Sequence, residues 1–580
     1  MPSPGLSQSM RHLLTETPPP SPGLPSLRPR HGKKMPPRRY KLFVRVLSWL
    51  LGVTVITWYA MCKVEWDGTL AGVSHAQEGK AYELKGEGPL PAQPAPVIVT
   101  DKRGRAKWTM SIPPTAPFPL PPEQYLDMCD RSGSVAATVA HMKSHAGGSD
   151  YHAGHANYYH ADQNYMDVAE AERHGLLPGT GDKAPAVQQI WDAVMGKEHE
   201  NEADLMGEDQ DTLAGQPVIR EGSVCSKSLT YVLESTDAGL GLSLMSVWLS
   251  YGLAQKEGRA FFIDDTNWAY GKWSTYFTSI PVPSCRPPPR TQIVPCPHHA
   301  RHLLVSMATT SLTFGHAFHD AFEDARGMEV QRQRPIFGLM RQGYEALFHL
   351  RHDDEAWALK RKEELHALRA KGSVVGIHVR HGDRHPLEFQ YQRSYIPLDR
   401  YAAAAKDLLQ SKPNSTAATH MEILVASDDS DVYTSEEFSR TSRAQDRIVL
   451  ASKAAIHAAH PQVAPSGPFR PGLDENIGWE GGFFQALFWS LGSAPSSSAN
   501  AAQQGNVEAP SPLALRLREL VGRTYLLDLK VLGEDTDGVV CGVSATGCKL
   551  LAVMMGWDKA MVAHRWKNID GDFDWNGLVW

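Results

Sequence analysis

Three short runs of uninterrupted apolar residues, each ending in charge, constrain the fold of this chain more than any other feature of its 580 residues. They are AFFIDD at 260–265, SVVGIHV at 373–379 with Arg380 behind it, and MEILVASDD at 421–429. None is long enough to span a membrane, and none alternates as a half-solvated strand does. Continuous apolar strands of this kind belong to parallel sheets covered on both faces. Helical sequence lies between them. Residues 242–255 (LSLMSVWLSYGLAQ) repeat apolar positions at helical spacing and stop at Glu257-Gly258. Residues 337–350, 354–370 and 398–410 read as further helices, the second with Lys/Glu pairs on a solvated face and Gly372 beyond its end. TYLLDL at 524–529 and the run at 538–541 read as two more strands. The alternation predicts an α/β fold, an open parallel sheet wound with helices, starting near Cys225.

The N-terminal third reads differently. Residues 1–41, rich in Pro and Ser, can bury almost nothing and are expected to form a disordered cytosolic tail. Residues 42–62, LFVRVLSWLLGVTVITWYAMC, are apolar except for Arg45 near one end and predict a transmembrane helix. Arg28, Arg30, Lys33, Lys34, Arg38, Arg39 and Lys41 precede this run, whereas Glu65 and Asp67 follow Lys63, which keeps the N-terminus in the cytosol. The length of the basic region, together with Trp49, Trp58 and Tyr59 near the borders, favours an uncleaved anchor over a signal peptide. Residues 63–220 then read as a stem, with a strand-like stretch at 95–108. The stem is rich in histidine, but the pair His152/His155 has no cysteine or carboxylate placed to complete a metal site, so a polar loop is the better reading. The remaining boundaries are an α/β unit at 221–350, a second at 351–565 with a low-complexity disordered insertion at 492–512, and a C-terminal tail at 566–580.

The net charge of −6 and the lack of a basic patch beyond the N-terminus exclude an electrostatic nucleic-acid footprint. Six cysteines follow Cys62 and would lie in an oxidising lumen, where about fifteen connectivities are open to them. Asn414-Ser415-Thr416 is an N-glycosylation sequon that fits a lumenal domain.

In parallel α/β sheets ligands bind beyond the carboxyl ends of the strands. The polar residues there are His378, Arg380, His381, Asp383 and Arg384 after one run, and Ser427, Asp428 and Asp429 after the next. A guanidinium at a strand tip suits a pyrophosphate, because its planar fork donates paired, charge-assisted hydrogen bonds. A structural Arg–Asp pair fits the same spacing.

Five segments in order resemble the α-1,6-fucosyltransferases, together with the rhizobial and protein O-fucosyltransferases that share their donor-binding fold. Gly239-Leu240-Gly241 is similar to the family's Gly-x-Gly, and FFIDDTNWAYGKW at 261–273 to its strand followed by Asn-Trp-x-Tyr. GIHVRHGDR at 376–384 resembles His-Val-Arg-Arg-x-Asp-Lys, LVASDD at 424–429 resembles a strand ending in Thr-Asp-Asp, and CGVSATGC at 541–548 resembles Cys-x-Phe-Ser-Ser-Gln-x-Cys. The likeness covers about 225–561. It implies a GT-B-like architecture of two Rossmann-like α/β domains with a GDP-fucose site in their cleft, and inverting transfer with neither metal nor organic cofactor. Asp264-Asp265 and Asp428-Asp429 lack the intervening residue of an Asp-x-Asp metal motif.

Carried over by position, the resemblance implies that Arg380 holds the β-phosphate and that His378 and Asp528 read guanine. Gly239 and Tyr270 would close over the nucleotide, Asp428 and Asp429 would line the same edge, and Ser544 or Thr546 would supply a hydroxyl to phosphate. Glu388, eight residues after Arg380, falls at the place of the proposed base, Arg384 at that of a lysine, and Asp383 lies in the same motif. A solvated loop carboxylate is the competing reading of Glu388. The resemblance also implies disulfides Cys541–Cys548 and Cys225–Cys285, with Cys129 and Cys296 left over. The chain departs from the family at His381, Ala545 and Thr546, and it lacks the animal enzymes' heptad stem and SH3-like domain. Glu480, in GWEGGFFQALFWSLG, is a candidate for the acceptor side or an ordinary helix start. The expected setting is the Golgi membrane in type II orientation, with a glycan or glycoprotein acceptor and a second copy of the chain among the partners the reading admits. The expected reaction is α-1,6-fucosylation of an N-glycan core. The alternatives are fucosylation of a protein hydroxyl or of another polysaccharide, and a non-catalytic nucleotide-sugar-binding protein.

Overall fold

The computed structural model describes residues 82–84, 91–144, 158–159, 161–177, 212–213, 216–217, 223–234, 239–278, 280–370, 372–381, 395–410, 420–449, 512–571 and 574–578. The expected anchor at 42–62, the histidines at 152 and 155, the sequon at Asn414, Glu480 and the insertion at 492–512 lie outside these residues. Among the described residues no helix is long and apolar enough to cross a membrane.

Strand β1 (Tyr82–Leu84) runs parallel to β2 (Ala95–Thr100), which forms a hairpin with β3 (Ala106–Ser111). Helices α1 (Pro122–Ser144) and α2 (Val168–Arg173) and a short ribbon, β4 (Thr212–Leu213) with β5 (Gln216–Pro217), complete the N-terminal part. A first parallel sheet follows, built from β6 (Ser228–Val232), β7 (Ala260–Asp264) and β8 (His302–Ser306) in the order β7-β6-β8. Helix α3 (Leu240–Lys256) joins its first two strands, and α4 (Arg334–Leu347) and α5 (His352–Arg369) lead to the second sheet. That sheet contains β9 (Gly372–Val379), β10 (His420–Ser427), β11 (Ser442–Arg443), β12 (Gly538–Cys541) and β13 (Trp566–Asn568) in the order β11-β10-β9-β12-β13, all parallel. Helices α6 (Leu398–Gln410), α7 (Pro512–Asp535) and α8 (Thr546–Met555) wind around it. The α/β class with parallel sheets is therefore as expected, and 242–255, 260–265, 354–370, 373–379, 398–410 and 421–429 fall on the elements predicted for them.

Residues 524–529 do not. They lie inside α7, a helix of 24 residues, and not on a strand. Leu526, Leu527, Leu529, Val531 and Leu532 are all buried, so this part of the helix has no solvent face, although charged residues recur at helical spacing along its whole length, at Arg516, Glu519, Arg523, Lys530 and Glu534. A run of that kind cannot be told from a buried strand by periodicity.

The supposed tail at 566–580 is also part of the fold. Strand β13 adds an edge to the sheet, and Trp575, 1% exposed, donates its indole N–H to the carbonyl of Lys549 at 3.0 Å and packs its ring on Phe337. The stem reading of 63–220 likewise missed a structural layer. A parallel sheet must be covered on both faces, and the first sheet turns one face to α3 and the other to the β2–β3 hairpin and α1. Val97, Trp108, Met110, Met128 and Val139 there share a cluster with Val232, Val294 and Leu304. The disulfide Cys129–Cys296 ties that layer to the body, and Cys225–Cys285 and Cys541–Cys548 form as the resemblance implied.

The two sheets share one core. Leu229, Tyr231 and Ile263 of the first sheet and Val374, Leu424 and Val539 of the second belong to a single buried cluster, joined through α3, α4, α7 and α8. Helices α3 and α4 touch backbone to backbone at two glycines: a Cβ on Gly252 would collide with the carbonyl of Leu339, and one on Gly343 with the carbonyl of Trp248. Gly338, in the same helix as Gly343, has open space around it. Gly343→Ala is therefore expected to destabilise the protein by about 1–3 kcal/mol, whereas Gly338→Ala should stabilise it by about 0.5–1 kcal/mol through helix propensity. Chemical denaturation of the two variants checks this, and equal effects would remove the close-packing account.

Candidate donor site at the carboxyl edge of the second sheet

Because β9, β10 and β12 are parallel, their carboxyl ends share one edge. The register places Val379 beside Ser427, and His378 beside both Ala426 and Cys541. The chain leaves β9 at Arg380 and His381 and leaves β10 at Asp428 and Asp429, so these four side chains meet. Asp428 Oδ2 accepts from Arg380 Nη1 at 3.1 Å, and its Oδ1 accepts from the His381 backbone N–H at 2.6 Å. His381 Nδ1 lies 3.1 Å from Asp429 Oδ2. The Asp429 backbone N–H donates to Ser427 Oγ at 3.0 Å, which fixes the start of the turn. The guanidinium is thus aimed by a buried carboxylate, and Arg380 itself stays partly exposed. Both the phosphate-gripping and the structural Arg–Asp readings predict this pair.

Two glycines explain how the interior groups reach the edge. A Cβ on Gly376 would lie 2.8 Å from Leu532 Cδ2 and 3.2 Å from Thr536 Cγ2, so α7 packs on β9 closely enough that a methyl group there would make Leu532 move. A Cβ on Gly547 would lie 2.9 Å from His378 Cε1 and 3.0 Å from both its Nε2 and Tyr525 Oη, so α8 closes on His378 equally tightly. Tyr525, Asp528 and Leu532 recur at helical spacing along one side of α7, which brings Asp528 to the sheet.

Burial then sets the charge of these groups. Desolvation pushes His378 down to about 4, with the Asp428 carboxylate opposing and Arg380 reinforcing, so the imidazole is neutral near pH 7. Desolvation pushes Asp528 well above the usual carboxylate range, with the Arg443 guanidinium opposing. Among the described residues neither His378 Nδ1 nor Asp528 Oδ1 has a hydrogen-bond partner. Unpaired buried polar atoms are costly, and both gain from a ligand that carries donors and acceptors on one edge.

The loop from β12 to α8 forms the rest of the edge. The Cys541–Cys548 disulfide spans it, Val543 N–H donates to Asn568 Oδ1 at 2.8 Å, and Ser544 N–H donates to Asp570 Oδ2 at 3.3 Å. Ser544 is exposed and Thr546 half-buried, and no side chain caps the first turn of α8. Such a terminus presents amide N–H groups and a positive dipole end to an anion.

Gly239 is the N-cap of α3, and Leu240 beside it meets Gly522 of α7. Tyr270 is 2% exposed and packs with Trp268 and Tyr276, a core position. Asp383, Arg384 and Glu388 fall in 382–394, outside the described residues; the rings that flank this segment, His381 and Tyr395, stack with centroids 4.2 Å apart. Tyr525, Tyr433, Arg443 and Asp570 were not foreseen. Tyr525 stands three positions before Asp528, a relation visible only once the segment is assigned as helix. Among the described residues no group of three or more His, Cys, Asp or Glu is placed to hold a metal ion.

A buried neutral histidine makes stability depend on pH. Between about 6.5 and 4 the unfolded chain binds a proton that folded His378 does not, so this group lowers stability as pH falls through that window. The stability of His378→Gln should therefore vary less steeply with pH over that range than that of the wild type, by up to roughly 3 kcal/mol in total. Identical slopes in urea unfolding at the two ends of the window would contradict the burial of a neutral imidazole.

No family model and no curated protein matches the chain. Among solved structures it is similar to the crystal structure of NodZ alpha-1,6-fucosyltransferase soaked with GDP-fucose, at 10% identity over 57% of this chain and 92% of that one, with a TM-score of 0.26. It is also similar to fucosyltransferase NodZ from Bradyrhizobium, at 9% identity over 55% of this chain and 91% of that one, with a TM-score of 0.24. Scores this low carry no argument about fold or function.

Proposed function

We propose that this chain is a fucosyltransferase that moves fucose with inversion from GDP-fucose to a glycan, in first place through an α-1,6 linkage to an N-glycan core. The observation that carries the donor half is the single carboxyl edge bearing Arg380, aimed by Asp428, beside the uncapped start of α8 and the buried His378. The five sequence segments that resemble the fucosyltransferases support the donor sugar. In this reading the two sheets stand for the two halves of a GT-B-like architecture.

The roles follow from the chemistry. The acceptor oxygen attacks the fucose anomeric carbon, the bond from that carbon to the β-phosphate oxygen breaks, and the electron pair leaves with GDP. Arg380, Arg384 and the first amides of α8 receive the charge growing on the phosphate, where preorganised donors are most effective. The reading is accordingly metal-independent. Glu388 takes the proton of the acceptor hydroxyl, and Asp383 shares its loop. Neutral His378 offers one donor and one acceptor, and Asp528, whose ionised form is favoured against its desolvation when guanine N1–H and the 2-amino group donate to it, accepts from both. Asp429, His381, Ser544 and Thr546 line the same edge, while Gly239 and Tyr270 shape the first-sheet side.

We further place the catalytic part in the Golgi lumen behind a type II anchor at 42–62. The support is the apolar run with its basic flank, together with three disulfides of the kind an oxidising compartment permits.

Arg380→Ala should weaken GDP binding about 10- to 100-fold and abolish transfer on a glycan array supplied with GDP-fucose. Glu388→Gln should keep GDP binding and slow transfer by about 10²–10⁴; an unchanged rate would take Glu388 out of the base role. Wild-type protein that binds GDP yet neither transfers nor hydrolyses GDP-fucose would instead be a nucleotide-sugar-binding protein. Transfer to protein hydroxyls or another polysaccharide would replace the N-glycan acceptor.

A further inference from the structure

Strand β10 outruns its neighbour at the candidate site. Edge strand β11 pairs with it only at Leu424 and Val425, and the Ala444 N–H donates to the Val425 carbonyl at 2.9 Å. Backbone groups on one side of a strand recur every second residue, so the next pair facing that side belongs to Ser427, beyond the end of β11. Tyr433 meets both groups: its Oη accepts from the Ser427 N–H at 2.8 Å and donates to the Ser427 carbonyl at 3.1 Å. One hydroxyl thus stands where a longer edge strand would have paired.

The turn that brings Tyr433 back to the strand is tied to the site as well. Asp429 precedes a short 3-10 helix, Ser430–Thr434; its Oδ1 accepts from the Asp431 N–H at 3.0 Å, and its Oδ2 lies 3.1 Å from His381 Nδ1. The phenol ring is covered on its face, since the Arg443 guanidinium carbon lies 3.9 Å from its centroid. Arg361 in turn holds the main chain of β11, donating to the carbonyls of Arg443 at 3.0 Å and Ala444 at 3.3 Å. Asp428 directly follows Ser427 and accepts from Arg380 Nη1 at 3.1 Å and from the His381 N–H at 2.6 Å. Freeing the peptides of Ser427 therefore frees the carboxylate that aims the guanidinium.

We propose that Tyr433 is a positioning residue of the donor site: by pinning both backbone groups of Ser427 it fixes Asp428, and through Asp428 the direction in which Arg380 meets the terminal phosphate of a nucleoside diphosphate. The proposal rests on the donor reading above and deepens it. A residue that works in this way changes affinity only through Arg380, so its effect disappears once Arg380 is removed. A residue that only stabilises the fold weakens every ligand of the site alike.

The test is calorimetric binding of GDP and GMP to the full-length chain and to its Tyr433→Phe, Arg380→Ala and doubly substituted variants. Phenylalanine keeps the ring against Arg443 and removes only the hydroxyl. GMP lacks the phosphate assigned to Arg380, so Tyr433→Phe should lower GDP affinity about 3- to 10-fold and leave GMP affinity nearly unchanged. In the Arg380→Ala background the same substitution should cost less than about 2-fold. An unchanged GDP/GMP ratio in Tyr433→Phe overturns the proposal, and so do equal losses for both nucleotides or a full loss that persists without Arg380. These outcomes leave the donor reading standing if the wild type binds GDP. A wild type that binds no GDP sinks both. Thermal unfolding without nucleotide accompanies each variant. Should Tyr433→Phe fail to fold, Arg443→Gln, which takes the cation off the ring and leaves the hydroxyl, decides: it should lower the GDP/GMP ratio about 2-fold, and an unchanged ratio overturns the proposal.

Discussion

Helix α7 rests on β9 where Gly376 leaves no side chain in the way, and the interior end of the candidate site depends on that contact. A methyl group there would meet the side chains of Leu532 and Thr536 and make them shift. Tyr525 and Asp528 ride on the same helix, so their position at the carboxyl edge is set by packing several residues away. The same helix reaches the first sheet through Gly522, which lies against Tyr276 and Leu240, and through Arg518, which donates to the Ala269 carbonyl at 3.1 Å. One buried helix therefore places groups from both sheets relative to one another.

Charge at the edge is organised in two tiers. At the solvent side Asp428 and Asp429 pair with Arg380 and His381, where partial exposure keeps ions affordable. Deeper in, desolvation dominates and leaves His378 neutral and Asp528 reluctant to ionise. A nucleoside diphosphate has the same division, with its anionic phosphates at one end and a neutral base rich in donors and acceptors at the other. Away from this edge, Asp354 is buried between Arg523 and Arg447, which hold α5, α7 and the segment after β11 together. A buried carboxylate is stable there because two guanidiniums saturate its oxygens.

Coverage of the sheets comes from segments that look expendable in the sequence. Among the described residues the first sheet has three strands, and the layer on its second face comes from residues before 178, bound by Cys129–Cys296. The last fifteen residues contribute an edge strand and a buried tryptophan that support the β12–α8 loop. Weak local periodicity hid both, since a two-stranded hairpin and a single tryptophan gain stability only by docking on something else.

The sequence by itself determined the parallel α/β class and the strands that end at Arg380 and Asp428, because a strand buried on both faces must be continuously apolar and polar residues gather where it surfaces. Through the family resemblance it also indicated the disulfides Cys225–Cys285 and Cys541–Cys548. Tertiary structure alone decided that Asp528 stands on a helix, that the two sheets share one core, and that Arg443 and Tyr433 belong to the same edge. The physical reason is that residues 524–529 are buried on every side, so neither period shows in that window, and that a cation and a ring on separate elements meet only once the chain is folded.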